Sequence, residues 1–129
     1  MAKTLAHRKY VKRVLVAMVG YVATLFLAEM LIDDRGEVII GDGASISDYA
    51  NIYSHAHAVE NIHDVSLGRT VIGERARITY HAVVLSGVEV GADAMVGAMG
   101  VASKKIDPGV IAAGIPAKPI GQKKTRPQS

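Results

Sequence analysis

Apolar residues recur at every sixth position along most of this chain. Isoleucine or valine fills one series, at Ile40, Ile46, Ile52, Ile72, Ile78, Val84, Val90 and Val96. Small residues keep the same interval four positions later, at Ala44, Ala50, Ala56, Ala76, Ala82 and Ala94, with Val88 as the one exception. A helix repeats every ~3.6 residues and a strand every ~2, so neither has this period. Six-residue repeats are typical of parallel β-helices, and the pattern therefore predicts an all-β solenoid.

The repeat is interrupted once. Ile40 and Ile72 lie 32 residues apart, two more than five whole hexads, so an insertion is expected between Ala58 and Thr70. In a solenoid an insertion projects as a loop from one face, often the binding face. Glycines follow the apolar position at Gly73, Gly91 and Gly97, where we expect them to permit the backbone conformations of tight corners.

The N-terminal part of the chain differs from the repeats. Residues 14–32 form its most hydrophobic stretch, broken only by Gly20, Thr24 and Glu29. About 20 apolar residues can span a bilayer, but Glu29 would be costly in lipid, and the first coil of a solenoid needs a cover. Three interpretations stay open: a helical cap, a membrane or interfacial anchor, and a truncated upstream coil.

Composition limits the architecture and the chemistry. With 129 residues, half of them hydrophobic, the chain has room for one compact domain. The predicted organisation is a basic and apolar N-terminal segment (1–36), a β-helix (37–121) and a disordered basic tail (122–129). The absence of cysteine excludes disulfides, thiolate zinc sites and a cysteine nucleophile.

The net charge of +3 arises from basic residues near both ends, around 3–13 and 118–126. Because no aromatic residues are interleaved with them, we expect no nucleic-acid partner. We expect a cytoplasmic protein, with membrane association through residues 14–32 left open.

The second half of the repeats resembles a known family. The resemblance is carried by the segments 87–91, 96–98, 105–108 and 113–118, the last reading Ala-Gly-Ile-Pro-Ala-Lys. These segments are similar to the C-terminal half of the hexapeptide-repeat acyltransferases, nearest the galactoside and maltose O-acetyltransferases. The resemblance implies a left-handed parallel β-helix, a homotrimer, acetyl-CoA as acyl donor and no metal. It also implies a sugar or another small hydroxyl or amine acceptor.

The same resemblance assigns roles to residues. The segment Ile52–His57 is similar to the family segment that carries a histidine general base, and the matching position is His57. An alcohol or amine that attacks a thioester must lose a proton, and an imidazole titrates in the right range to take it. His55 is the alternative base. The resemblance implies acceptor contacts at Tyr53, His55 and His81, and coenzyme A contacts at Gly97, Ala98, Ala113, Gly114 and Lys118.

Two departures from the family pattern leave the acceptor open. Arg77 replaces an aromatic residue common in the family, and the apolar segment 14–32 replaces the family's N-terminal helical region.

Two other functions stay open. The segment Tyr80–Gly87 resembles the ligand segment of the γ-type carbonic anhydrases, with Ser86 where the last histidine should be. His57 and His81 would supply two zinc ligands, and His63 a third only if the inserted loop folds inward, whereas a catalytic zinc site normally has three protein ligands. A non-catalytic trimeric scaffold would need no base at all.

Overall fold

The computed structural model describes residues 30–124, which form short strands wound into a solenoid. No helix is present in this part of the chain. The strands, in chain order, are β1 (Leu31–Ile32), β2 (Glu37–Ile40), β3 (Ser45–Ile46), β4 (Asn51–Ile52), β5 (His55–His57), β6 (Val65–Leu67), β7 (Arg69–Ile72), β8 (Arg77–Ile78), β9 (Val83–Val84), β10 (Glu89–Val90), β11 (Met95–Val96), β12 (Val101–Ala102), β13 (Val110–Ala113) and β14 (Lys118–Gln122).

The coils stack into three sheets that form the sides of a prism. Sheet A contains β1, β4, β9 and β12, sheet B contains β2, β7 and β10, and sheet C contains β3, β8, β11 and β13, with β14 added antiparallel. In the regular coils, strands pair in parallel with partners 18 residues away, as Val83 does with Val101. Because 18 is three hexads, each coil contributes one strand to each sheet, and the predicted all-β solenoid is confirmed.

The two sixfold series form the core. The isoleucine and valine side chains at 52, 72, 78, 84, 90 and 96 are fully buried, as are the alanines at 50, 76, 82 and 94. A narrow interior accepts one branched side chain from each sheet and one methyl group at each corner. Ile40 and Ile46 are only half-buried because they lie in the first coil.

Glycine has a different role from the one expected at Gly73 and Gly91. Neither residue adopts a positive φ. A Cβ atom at Gly73 would lie 2.5 Å from the backbone nitrogen of Ala92, and one at Gly91 would lie 2.5 Å from that of Pro108. Glycine is therefore needed because successive coils approach each other closely there.

The predicted insertion is present, but its predicted start at Ala58 is wrong. It is an antiparallel hairpin of β5 and β6 in which His55 pairs with Leu67 and His57 with Val65. The step from Ile52 to Ile72 is 20 residues, whereas the equivalent step from Val84 to Val90 is 6, so the hairpin adds 14 residues. It leaves the solenoid between sheets A and B, at what we call the A–B corner.

The ends of the chain lie largely outside this description. Residues 14–29 and 125–129 are not among those described, so the cap, anchor and upstream-coil interpretations stay predictions. The last residues of the apolar segment, Leu31 and Ile32, form β1 and pair with β4 in sheet A. Within residues 30–124 the chain forms no helix with the length and hydrophobicity that a membrane crossing requires.

Candidate functional site

His57 lies at the end of β5, with its imidazole exposed on the hairpin. Its Nδ1 atom lies 2.5 Å from the carbonyl oxygen of Ile62, across the hairpin turn. Since a carbonyl oxygen only accepts hydrogen bonds, Nδ1 must carry the hydrogen. In the neutral ring this leaves the lone pair on Nε2. The hairpin therefore holds His57 in the tautomer that a general base requires.

His55 is the more buried of the two histidines on this strand. Its Nδ1 atom bonds to the carboxylate of Asp33, and each of these side chains is 9% exposed. The carboxylate also accepts hydrogen bonds from Nε of Arg35 at 2.9 Å and from the backbone nitrogen of Ser54 at 3.3 Å. These contacts anchor the start of the hairpin to the first coil.

Two opposing effects set the charge of Asp33. Burial on its own would raise the pKa of Asp33, but hydrogen bonds from Arg35, His55 and Ser54 outweigh it and hold the pKa well below its usual range. A carboxylate that stays ionised fixes the hydrogen of His55 on Nδ1. His55 thus has the same tautomer as His57, but its ring is far less accessible to a substrate.

The two imidazoles lie together on one face of the hairpin. Their ring centroids are 5.3 Å apart and their planes nearly perpendicular, as expected for residues two apart in a strand. Tyr53 is half-buried at the base of the hairpin, where its carbonyl oxygen accepts a hydrogen bond of 2.6 Å from Thr70 Oγ1. The A–B corner thus brings together Tyr53, His55 and His57.

Asp33 was missed at the sequence level, where it was read only as part of a turn. The register signal lay in the pairing of Ile32 with Ile52, which puts Asp33 beside the base of the hairpin. Because this pair is 20 residues apart and the regular coil has 18, the period itself conceals it.

The other predicted site residues lie at the corner between sheets C and A, the C–A corner. Here Gly97 and Ala98 follow β11, while Ala113 and Gly114 end β13 and enter the corner of the next coil. Lys118 pairs with Ala113 across the antiparallel strands and is exposed. The five residues proposed to contact coenzyme A are therefore neighbours on two successive coils.

His81 also lies at the C–A corner, one coil nearer the N-terminus. Its ring is stacked on that of Tyr49, with centroids 4.9 Å apart. The A–B and C–A corners flank sheet A on opposite sides. One copy of the chain therefore does not bring His57 together with His81 or with the residues proposed for coenzyme A.

No group of three histidine, aspartate or glutamate residues suited to a metal ion assembles within residues 30–124. His57 and His63 belong to the hairpin and His81 to the opposite corner, so a single copy does not assemble the histidine set considered for zinc.

Comparison with known proteins assigns this architecture to a class. No family model matches the chain. Among solved structures, the galactoside acetyltransferase in complex with coenzyme A is 29% identical, with a TM-score of 0.70, and the match covers 74% of this chain and 50% of that one. A perosamine N-acetyltransferase variant from Caulobacter crescentus, in complex with coenzyme A and GDP-perosamine, is 27% identical, with a TM-score of 0.58 and coverage of 74% and 38%. The fold is the left-handed parallel β-helix of these enzymes.

Sequence similarity gives the family. The serine acetyltransferase of Mycobacterium tuberculosis is 30% identical over 109 residues, which cover 78% of this chain and 44% of that protein. The chain belongs to the hexapeptide-repeat acyltransferase family, as its motifs predicted. It spans less than half the length of the curated relatives it matches.

Proposed function

We propose that this protein is an acetyl-CoA-dependent acyltransferase that transfers the acyl group directly to a hydroxyl or amine of a small, sugar-like acceptor. The observation that carries the proposal is the hydrogen bond from Nδ1 of His57 to the Ile62 carbonyl, which presents Nε2 as an exposed base. The galactoside and perosamine acetyltransferases that share the fold were both solved with coenzyme A, which supports acetyl-CoA as the donor. No metal takes part in the proposed reaction.

The reaction needs one base and no covalent intermediate on the protein. Nε2 of His57 accepts the proton of the acceptor as its oxygen or nitrogen attacks the thioester carbonyl. Backbone N–H groups would stabilise the negative oxygen of the tetrahedral intermediate. Its collapse breaks the carbon–sulfur bond, and the imidazolium returns its proton to the leaving thiolate of coenzyme A.

We propose that two copies of the chain form each site, because its two halves lie on opposite sides of sheet A. The outward residues of sheet A are uncharged, at Leu31, Asn51, Val83 and Val101. Sheet B instead carries the ion pairs Glu37–Arg69 and Glu89–Lys105, at 3.1 and 3.5 Å. Depletion of charge is typical of the centre of an interface.

A cyclic trimer follows from this surface. With sheet A turned toward the threefold axis, the A–B corner of one copy meets the C–A corner of the next. The hairpin leaves the second coil and His81 ends it, so the two halves would meet at the same height along the solenoid. The proposed partners are thus two further copies of this chain, the acceptor and coenzyme A.

Release of free coenzyme A from acetyl-CoA, followed over a panel of sugars, amino sugars and amino acids, tests the proposal. We expect His57→Ala to lower kcat by about 10²–10⁴-fold, the usual contribution of a general base. His63→Ala is the matched control, because His63 is exposed on the same hairpin without a role in the proposed reaction.

Unchanged turnover in His57→Ala would remove His57 from the mechanism. A parallel loss in His55→Ala but not in His57→Ala would assign the base to His55. Failure of coenzyme A to bind at millimolar concentration would overturn the transferase, and zinc retained by the purified protein would favour the carbonic anhydrase-like alternative.

A further inference from the structure

Three rings form a cluster at the C–A corner. Tyr49 ends the first coil, and Tyr80 and His81 end the second. The rings of Tyr49 and His81 are stacked, with 11° between their planes. Tyr80 stands nearly perpendicular to both, at centroid distances of 5.7 Å from Tyr49 and 4.4 Å from His81. We call these three residues the aromatic cluster.

The backbone of this corner is unusual for such large side chains. Each corner of the solenoid uses a left-handed residue, a conformation that glycine adopts freely and asparagine or aspartate tolerates. The B–C corner, between sheets B and C, places Gly43, Asp93 and Gly109 there, and the A–B corner places Gly87.

Only the C–A corner, among the residues described, places bulky or aromatic residues at this position in three successive coils. They are Tyr49, His81 and Met99, with φ of 59°, 55° and 61°. Bulky left-handed residues are outliers, and such outliers concentrate at functional sites.

Arg75 is the remaining large left-handed residue, and its side chain has a local explanation. Its guanidinium pairs with Asp93 at 2.8 Å and with Glu74 at 3.0 Å. The hydrogen bonds lower the pKa of Asp93 to about 2. The aromatic cluster has no comparable ion pair among the described residues, and its rings contact one another at the surface.

The position of the cluster along the corner indicates what it would contact. Passing from the first coil to the last, the corner carries Tyr49, then Tyr80 and His81, then Gly97 and Ala98, and finally Gly114 with Lys118 nearby. If coenzyme A lies over the last two coils with its phosphates at Lys118, its thioester points toward the second coil. The acceptor must then lie at the first and second coils, where the aromatic cluster is.

We propose that Tyr49, Tyr80 and His81 bind the ring of the acceptor, and that the acceptor is a pyranoside; this inference rests on the proposed transferase function. Aromatic rings offer a large apolar surface that suits the C–H face of a pyranose. Tyrosine hydroxyls and imidazole nitrogens at the rim can bond to its hydroxyl groups. An open-chain acceptor such as serine has no comparable face.

The test compares two cluster variants with a matched control. Tyr49→Asn removes a ring while keeping a residue that tolerates positive φ, and Tyr80→Ala removes the ring that is 50% exposed. Arg75→Asn makes the same backbone change at φ 55° in the neighbouring corner, outside the proposed site. Binding of methyl glucopyranoside and methyl galactopyranoside is measured by saturation-transfer NMR, and KM for acetyl-CoA, for both pyranosides and for L-serine by thiol release.

We expect the cluster variants to raise KM for the better pyranoside at least tenfold and to abolish its saturation-transfer signal. KM for acetyl-CoA should stay within twofold of the parent value, as should every constant of Arg75→Asn. The thermal unfolding midpoint of Tyr49→Asn should not fall, since the substitution relieves a strained residue.

Pyranoside binding that is unchanged in both cluster variants would overturn the inference, as would efficient transfer to L-serine alone. A protein that binds the pyranoside through the cluster without consuming acetyl-CoA would overturn the proposed transferase and leave the binding site standing. The two failures are therefore distinguishable.

Discussion

At the scale of single residues, the contact between Asp33 and His55 joins the first coil to the hairpin. Both side chains are largely buried, and the carboxylate accepts further hydrogen bonds from Arg35 and Ser54. An ionised group in such surroundings is stable only while its partners are present. The pair therefore links the stability of the fold to the placement of the adjacent His57.

We expect Asp33→Asn to lower the free energy of unfolding by about 1–3 kcal/mol at neutral pH. Because folding lowers the pKa of Asp33, the stability it contributes is present above its unfolded value of about 3.9 and is lost as pH falls toward the folded value. The difference between parent and variant should thus shrink below about pH 4.

Urea denaturation from about pH 3 to pH 8 measures this difference. Asp48→Asn is the control, because Asp48 is exposed and should show no comparable loss. A difference between parent and Asp33→Asn that does not vary with pH would show that the charge of Asp33 is not what stabilises the pair.

The sequence predicted part of the residue-level site. Motif similarity located His57, His55 and the residues proposed for coenzyme A, because each lies in a segment of recognisable pattern. Asp33 could not be found in this way, since its role depends on a contact with a residue 22 positions later. The separation of His57 from His81 was equally hidden, because only the stacking of the coils decides which corner a residue occupies.

At the scale of elements, the six-residue period predicted the strands of the solenoid well and the hairpin poorly. The core positions from Ile72 to Val96 are buried as the pattern requires. Ala56, however, continues the small-residue series and yet is exposed in β5. Because a strand of the hairpin and a strand of a coil have the same local pattern, only the later break in period signals the insertion.

We expect the hairpin to be removable without loss of the solenoid. Joining Ser54 to Thr70 through Gly68 alone gives a six-residue step from Ile52 to Ile72, equal to the step from Val84 to Val90. The far-UV circular dichroism should keep its β-helical form, and the free energy of unfolding should fall by no more than about 3 kcal/mol, mainly from the lost partner of Asp33.

Acyl transfer by this shortened chain should be abolished because His57 is absent. Val59→Ser, at a side chain 97% exposed on the hairpin, is the control that should retain both fold and activity. Unfolding of the shortened chain would show that the hairpin belongs to the scaffold.

The close approach of successive coils gives a second prediction for the elements. A Cβ atom at Gly91 would lie 2.5 Å from the nitrogen and 2.8 Å from the Cα of Pro108, both backbone atoms. We expect Gly91→Ala to lower the free energy of unfolding by at least about 1–3 kcal/mol, since the coils must separate locally.

Chemical denaturation compares this variant with Gly121→Ala, where an added Cβ meets nothing within 4 Å. The control should change stability by less than about 0.5 kcal/mol. Equal losses in the two variants would contradict the steric explanation.

At the scale of the whole molecule, the proposed trimer makes each site from two copies. His57→Ala is defective in the hairpin, and Ala98→Trp places a large ring at the exposed coenzyme corner. Neither should be active alone. Mixed trimers made by co-expression should recover on the order of a quarter of parent activity, because one random pairing in four unites an intact hairpin with an intact corner.

Thiol release by the mixed protein measures this recovery, with sedimentation equilibrium to establish the trimer. A mixture as inactive as its components would place the whole site within one copy. A monomer in solution would contradict the composite site directly.

The antiparallel β14 ends the solenoid with a strand that resists further pairing. It forms one edge of sheet C and carries Lys118 and Pro119, a charge and a residue that cannot donate a backbone hydrogen bond. Parallel stacked strands are also the building pattern of amyloid fibrils, which grow by adding chains to an open edge. By reversing direction and exposing lysine and proline, the chain makes this edge a poor template for fibril growth.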